Sequence, residues 1–269
     1  MPRSRPPSDI DPPSNRNPSS ALNDRPTGAG GPPRGSSAGY PGFMSVSELS
    51  TSTQNYLKAI WGLMEWSDEP VTATLIASRT GLRLSSVSDA VRKLAAQGLL
   101  EHAPYGSVEF TAMGRAYALE MVRRHRLIET FLISALGYSW DQVHDEAENL
   151  EHAVSDFMID RIDTSLDYPE RDPHGDPIPS AEGKVTILEA ERLTKVGPGH
   201  TVIVERISDA DPALLQFFAE KGIDVGSELT TAEGPPYSDA LSVRATGSAT
   251  SVPLGRSATD ALYVSRIDS

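Results

Sequence analysis

Between Trp140 and Ile162 the chain places His144, Glu148, Glu151 and His152 at i, i+4, i+7 and i+8. On one continuous helix these four share an arc of roughly 100°. Val143, Ala147, Leu150, Val154, Phe157 and Met158 fall on the adjoining arc. The imidazoles and carboxylates therefore border the face that the helix must bury. Carboxylates crowded at a buried edge repel one another and lose hydration unless a cation neutralises them. Histidine and carboxylate together suit a divalent transition metal. The preceding helix, Ala112 to about Leu136 behind a Thr111 cap, adds His125 and Glu129 on one face. An acidic solvated helix with incidental histidines is the plainer reading of these letters. The convergence of three of the six histidines with three glutamates favours metal binding.

Several other chemistries are excluded. The 269 residues contain no cysteine, which removes disulfides, iron–sulfur centres, thiolate zinc fingers and cysteine catalysis. A di-iron carboxylate bundle needs Glu-x-x-His, but Asn149 stands three before His152 and Val122 three before His125. No His-Glu-x-x-His signature, nucleophile elbow or phosphate-binding glycine loop is present, so no enzyme is expected. No apolar run reaches membrane-spanning length and no leader-like segment opens the chain, so a cytoplasmic protein without membrane contact is expected.

The net charge of −13 argues against nucleic acid until its distribution is read. Residues 54–126 carry nine basic and seven acidic groups, whereas residues 127–269 carry ten basic and twenty-six acidic ones. A DNA-contacting section in the middle and a cation-binding acidic half are compatible with that split. Residues 1–46 are Pro-, Gly- and Ser-rich and are expected to be disordered, with Met44 as an alternative translation start.

From residue 50 the pattern turns helical. Ser50, Thr51 and Ser52 offer caps ahead of Tyr56, Leu57, Ile60, Leu63 and Met64. Thr72 precedes a short helix, Ala73 to Thr80, that stops at Gly81. Ser85 or Ser86 opens a second, Ser86 to Gln97, stopped by Gly98. Leu99–His102 and Val108–Thr111 then read as a hairpin around Tyr105–Gly106. This order is that of a winged helix-turn-helix. Its DNA-facing candidates are Arg83, Ser85, Ser86, Ser88, Asp89, Arg92 and Lys93, with Tyr105 on the wing. An ordinary solvated helix would carry Arg92 and Lys93 equally well. Past residue 181 the chain reads as a small β-rich domain, with strands at His200–Ile207, Leu241–Ala245 and Leu262–Ile267 and a helix from Asp211-Pro212 to Gly222.

The run Met121-Val-Arg-Arg-His-Arg-Leu-Ile-Glu129, the run Val143-His-Asp-Glu-Ala-Glu-Asn-Leu-Glu-His-Ala-Val-Ser-Asp156 and the loop Arg171-Asp-Pro-His-Gly-Asp-Pro-Ile-Pro179 strongly resemble the diphtheria toxin repressor family of metal-dependent transcriptional repressors. The resemblance implies a mainly α fold with small β elements in four parts. These are the extension 1–46, a winged helix-turn-helix at 47–118, a helical metal-binding and dimerisation domain at 119–180, and an SH3-like, FeoA-type domain at 181–269. It implies a primary metal site of Asn55, Glu148, Glu151 and His152. It also implies an ancillary site of His125, Glu129 and His144, completed by the third domain, with Asp209 and Asp211 as candidates; Asp211 reads equally well as a helix cap.

Glutamate at 148, where iron-responsive members carry cysteine, implies the manganese-responsive branch, with Mn(II) as corepressor. Fe(II), Zn(II) and Co(II) are alternatives. Asn55 stands where manganese-type members carry aspartate, and Lys58 stands where a second, binuclear manganese site would need glutamate. The implied protein is a homodimer on double-stranded operator DNA that controls metal-uptake genes. The competing readings are a winged-helix sensor of an organic ligand and a metal-storage or metalloenzyme bundle.

Overall fold

The structure, a computed structural model, describes residues 45–67, 69–102 and 106–267. The N-terminal extension up to Met44 and the wing residue Tyr105 lie outside them. Among the described residues no helix is long and apolar enough to cross a membrane.

The first layer is the winged helix. A 3-10 turn, Val46–Glu48, leads to α1 (Thr51–Glu65), whose N-cap Ser50 accepts from the Thr53 amide. Helix α2 (Ala73–Thr80) is capped by Thr72 and ends at Gly81, which sits at φ 68°. Helix α3 (Leu84–Ala96) begins two residues earlier than the serine pattern indicates, behind Arg83 and without a side-chain cap. Strands β1 (Leu100–His102) and β2 (Val108–Phe110) form the antiparallel wing. Leu57, Ile60, Ile76, Val87 and Leu94 fill the core between the three helices, as their helical spacing requires. Gly114 lets the next helix lie against the wing strand, because a Cβ there would run into the Leu99 carbonyl.

Helix α4 (Ala112–Leu136), capped by Thr111, is the spine of the molecule. Against it pack α5 (Trp140–Leu150) and α6 (Asp156–Ser165). The single helix expected over 140–162 is therefore two. The side chain of Ser155 accepts from the Met158 amide and starts α6, while the buried Arg124 guanidinium takes up the Val154 carbonyl left open in the break. The break also overturns one expectation about facing: Phe157 and Met158 are 73% and 46% exposed.

The third domain is a six-stranded antiparallel sheet in the order β3-β8-β4-β5-β6-β7. Its strands are β3 (Glu191–Arg192), β4 (Thr201–Ile207), β5 (Glu228–Glu233), β6 (Leu241–Ala245), β7 (Val252–Leu254) and β8 (Leu262–Arg266). Strands β3, β5 and β7 carry no clear strand pattern in the sequence, being short or mixed in polarity. Helices α7 (Leu193–Val196), α8 (Pro212–Glu220) and α9 (Arg256–Ala261) complete the domain around Phe218, Ile207 and Leu193.

Buried ion pairs join the layers. On α4, Arg126 makes a fork with Glu65 of α1 (3.0 and 2.6 Å) and donates to the Pro177 carbonyl. Arg206 of β4 donates to Asp176 at 2.6 Å and lies 4.2 Å over the Trp66 ring, which packs on Tyr263. Glycine at 175, with φ 88°, is required where the loop crosses β4, since a Cβ would meet the Glu205 carbonyl. The third domain is thus held to the end of α1 through a cation–π stack and to the 171–179 loop through a desolvated ion pair. Arg206→Ala leaves Asp176 buried with a weaker partner and should cost about 3–5 kcal/mol. Urea unfolding of the full chain would measure this, and Arg206→Lys should recover only part of it, lacking the planar face that stacks on Trp66.

Candidate metal centre

The acidic and imidazole side chains converge where α1, α4, α5 and the third domain meet, in a cleft of about 860 Å³. Helical spacing places Glu148 of α5 one turn past His144. Glu151 falls at the C-cap of α5 and His152 in the turn after it. The turn lets Glu151 point fully inward, with no exposed surface, while His152 stays half-buried.

The side chains form two linked groups. Donor atoms of Glu148, Glu151 and His152 lie within 4.8 Å of one another, as do those of Glu129, His144 and Asp209. A third set, His125, His144 and Glu148, spans the two. His125 is the physical link. Its Nδ1 lies 2.6 Å from Glu151 Oε2, and its Nε2 lies 3.0 Å from Glu129 Oε1 and 3.3 Å from His144 Nδ1. His144 Nδ1 lies 3.2 Å from Glu129 and 3.5 Å from Asp209.

Electrostatics follows from this contact set. Burial works against ionised Glu129, but the His125 charge and hydrogen bonds from His125 and His144 hold it well below the usual carboxylate range. Burial is likewise outweighed at Glu151, which His125 and Lys58 hold down. Burial also opposes a charged His125, yet the Glu129 charge and hydrogen bonds to Glu129 and Glu151 push it up to about 10. The hydrogen bond to Glu129 raises His144. The metal-free cluster is a set of carboxylates neutralised by imidazolium and ammonium.

Sequence-derived candidates are distributed unevenly. Glu148, Glu151, His152, His125, Glu129 and His144 come together. Asn55 lies exposed on α1, lines the same cleft and makes no hydrogen bond to the cluster among the described residues. Asp211 caps α8 by accepting from the Ala213 and Leu214 amides, so its carboxylate is engaged there; the third-domain carboxylate that reaches the cluster is Asp209. Gln54 was missed. It is 4% exposed, donates to the Val46 and Leu49 carbonyls, and its Oε1 lies 2.6 Å from His152 Nδ1. A glutamine inside an apolar helix face was the available signal. The donors are nitrogen and oxygen throughout, with no sulfur, and this set fits a divalent transition metal.

Arg83 ahead of α3 and Ser85, Ser86, Asp89, Arg92 and Lys93 on it are exposed, and Ser88 is half-buried. Arg92 pairs with Asp89 at 2.7 Å across one helical turn.

Family models match nearly all of this. Residues 48–108 match the iron dependent repressor N-terminal DNA binding domain. Residues 111–180 match the iron dependent repressor metal binding and dimerisation domain, and residues 191–266 match the FeoA domain. The iron-dependent repressor IdeR of Mycobacterium tuberculosis is 37% identical over 202 residues, 71% of this chain and 87% of its own length. The chain belongs to the diphtheria toxin repressor family. The diphtheria toxin repressor of Corynebacterium glutamicum is 30% identical over 195 residues, 68% of this chain and 85% of its own. A solved manganese-dependent transcriptional repressor in complex with manganese superposes with a TM-score of 0.76 at 48% identity, covering 80% of this chain and all of the other. The protein is a metal-dependent transcriptional repressor, not an enzyme.

The shifted groups set a pH signature for the metal-free state. His125 is raised from 6.5 to about 10, so its contribution is complete below about 6.5 and disappears as pH rises through 10. The depressed Glu129 contributes above its ordinary 4.5 and loses this as pH falls. Thermal melts in chelator should therefore be highest between about 4.5 and 6.5 and decline toward pH 10. In His125→Gln the alkaline decline should flatten.

Proposed function

We propose that this repressor takes Mn(II) as corepressor, binds operator DNA as a homodimer in the cytoplasm, and controls genes of metal uptake. One observation carries the reading: an all-oxygen-and-nitrogen donor set stands where α1 of the DNA-binding layer meets α5. Without sulfur, and with Glu148 beside Glu151, the set favours a hard divalent ion. The manganese complex among the structural relatives supports the same metal. Fe(II) is the second reading, because the curated relatives include iron-dependent repressors; Zn(II) and Co(II) suit the same nitrogen and oxygen ligands.

Glu148, Glu151 and His152 would hold the primary ion, with Asn55 and Gln54 at its α1 side. His125, Glu129, His144 and Asp209 would hold a second. A bound divalent cation supplies the positive charge that lets these carboxylates crowd together without protons. The residues do the rest. Tying α5 to α1 narrows the orientations that the two α3 helices of a dimer can sample. A dimer must meet two major grooves at a fixed spacing, so a narrower spread raises affinity. On α3, Arg83, Arg92 and Lys93 would meet phosphates, and Ser85, Ser86, Ser88 and Asp89 base edges, with Tyr105 of the wing beside them.

Exposed Phe157 and Met158 on α6 are the apolar surface offered to a second copy. Phe157→Asp should shift the protein to monomer in sedimentation and abolish tight operator binding. For the metal, fluorescence anisotropy on the operator at fixed salt should show binding tightened by Mn(II) relative to chelator. Glu148→Ala should lose at least tenfold of that response. Equal operator affinity with and without metal would overturn the corepressor reading, and a stronger response to Fe(II) would favour the second.

A further inference from the structure

Lys58 is a cation of the cleft that lies outside the metal-ligand set. It projects from the middle of α1, on the DNA-binding side, and its side chain is 15% exposed. Its Nζ lies 2.6 Å from Glu148 Oε1, 2.6 and 2.8 Å from the two Glu151 oxygens, and 3.3 Å from His125 Nδ1. The ammonium thus sits against carboxylate oxygens that also belong to the Glu148–Glu151–His152 group.

Two cations cannot share that position. The lone pairs that Glu151 and Glu148 direct at Nζ are those a divalent ion would need, and like charges a few ångströms apart in a half-buried site repel strongly. Arrival of a divalent ion therefore requires the Lys58 side chain to leave. Its long flexible stem allows it to swing toward the open cleft without moving α1. Until then the lysine closes the charge balance of Glu151, whose carboxylate would otherwise be buried beside Glu148 with His125 as its main counter-charge.

We propose that Lys58 is a built-in competitor for the primary metal site. It neutralises the Glu148–Glu151 pair in the metal-free protein and must be displaced by the incoming divalent cation, so it sets the metal concentration at which the repressor responds. The inference rests on the metal-corepressor reading but concerns the threshold, not the identity, of the ion. It also assigns α1 two alternative cationic links to α5, one by lysine and one by metal.

The test is a titration of the full chain with Mn(II) alone at fixed pH and salt, followed by the electron paramagnetic resonance signal of free Mn(II), beside thermal melts in chelator. Lys58→Met should bind Mn(II) about tenfold or more tightly than the parent, with a lower melting temperature in chelator and a larger Mn(II)-induced rise. Lys58→Arg keeps the charge and should stay close to the parent. Lys58→Gln removes the charge, keeps a donor toward Glu151, and carries the Lys58→Met expectation if that variant does not fold. Unchanged or weaker Mn(II) binding in the neutral variants would overturn the proposal. Should the parent take up no Mn(II), the corepressor reading fails on its own; uptake appearing in Lys58→Met would still support the competitor role, and none appearing would overturn it.

Discussion

Two carboxylates, Glu129 and Glu151, lie almost without solvent contact between helices of different layers, and neither can remain ionised there without an adjacent positive charge. The surrounding structure answers that requirement. His125 reaches both through its two ring nitrogens, His144 reaches Glu129, and Lys58 reaches Glu151 from α1. Because the groups that satisfy the carboxylates come from α1, α4 and α5, the charge balance of the cluster is also the contact between the DNA-binding layer and the helices behind it. Whatever cation occupies the cluster therefore bears on how the winged helix is held.

A second set of contacts lines the same cleft beside that cluster. Arg126, Asp172, Asp176 and Arg206 form a buried chain from α4 to the sheet, extended by the stacking of Arg206 on Trp66 at the end of α1. Burial and the neighbouring Asp176 charge push the Asp172 carboxyl well above its ordinary value, while the Asp172 side chain accepts from the His174 and Asp176 amides. The loop thereby has a fixed shape, and its His174 carbonyl accepts from Ile207 of β4. This chain keeps the third domain in place and leaves Asp209 within reach of His144.

Much of this was legible from residue patterns. The helix order of the winged domain, the wing, the spine α4, the caps Ser50, Thr72 and Thr111, and the pairing of His125 with Glu129 all follow from periodicity and capping chemistry acting over a few residues. The break after Leu150 was not legible. The apolar period runs through it; Ser155 caps α6 locally, but the buried Arg124 that satisfies the Val154 carbonyl comes from another helix. Phe157 and Met158 were placed inward for the same reason, because the period was carried through a break that turns α6 relative to α5. Asp211 could be read as a cap or a ligand. The choice came from α8, which engages its carboxylate locally and leaves Asp209 facing the cluster.

The sequence by itself determined which residues are chemically equipped, since helical spacing alone puts His144 with Glu148 and His125 with Glu129 on shared faces, and the lack of cysteine removes thiolate ligands. It also determined the elements of the DNA-binding layer, whose apolar and capping signals are local. Only the tertiary structure decided that Gln54 and Lys58 face the cluster in place of a hydrogen-bonded Asn55, that Asp209 supplies the third domain's carboxylate, and that Arg206 and Trp66 hold that domain down. The reason is that these depend on how helices and sheet are rotated against one another. That rotation is set by burying charges and apolar faces from segments far apart in the chain, a quantity no short-range pattern contains.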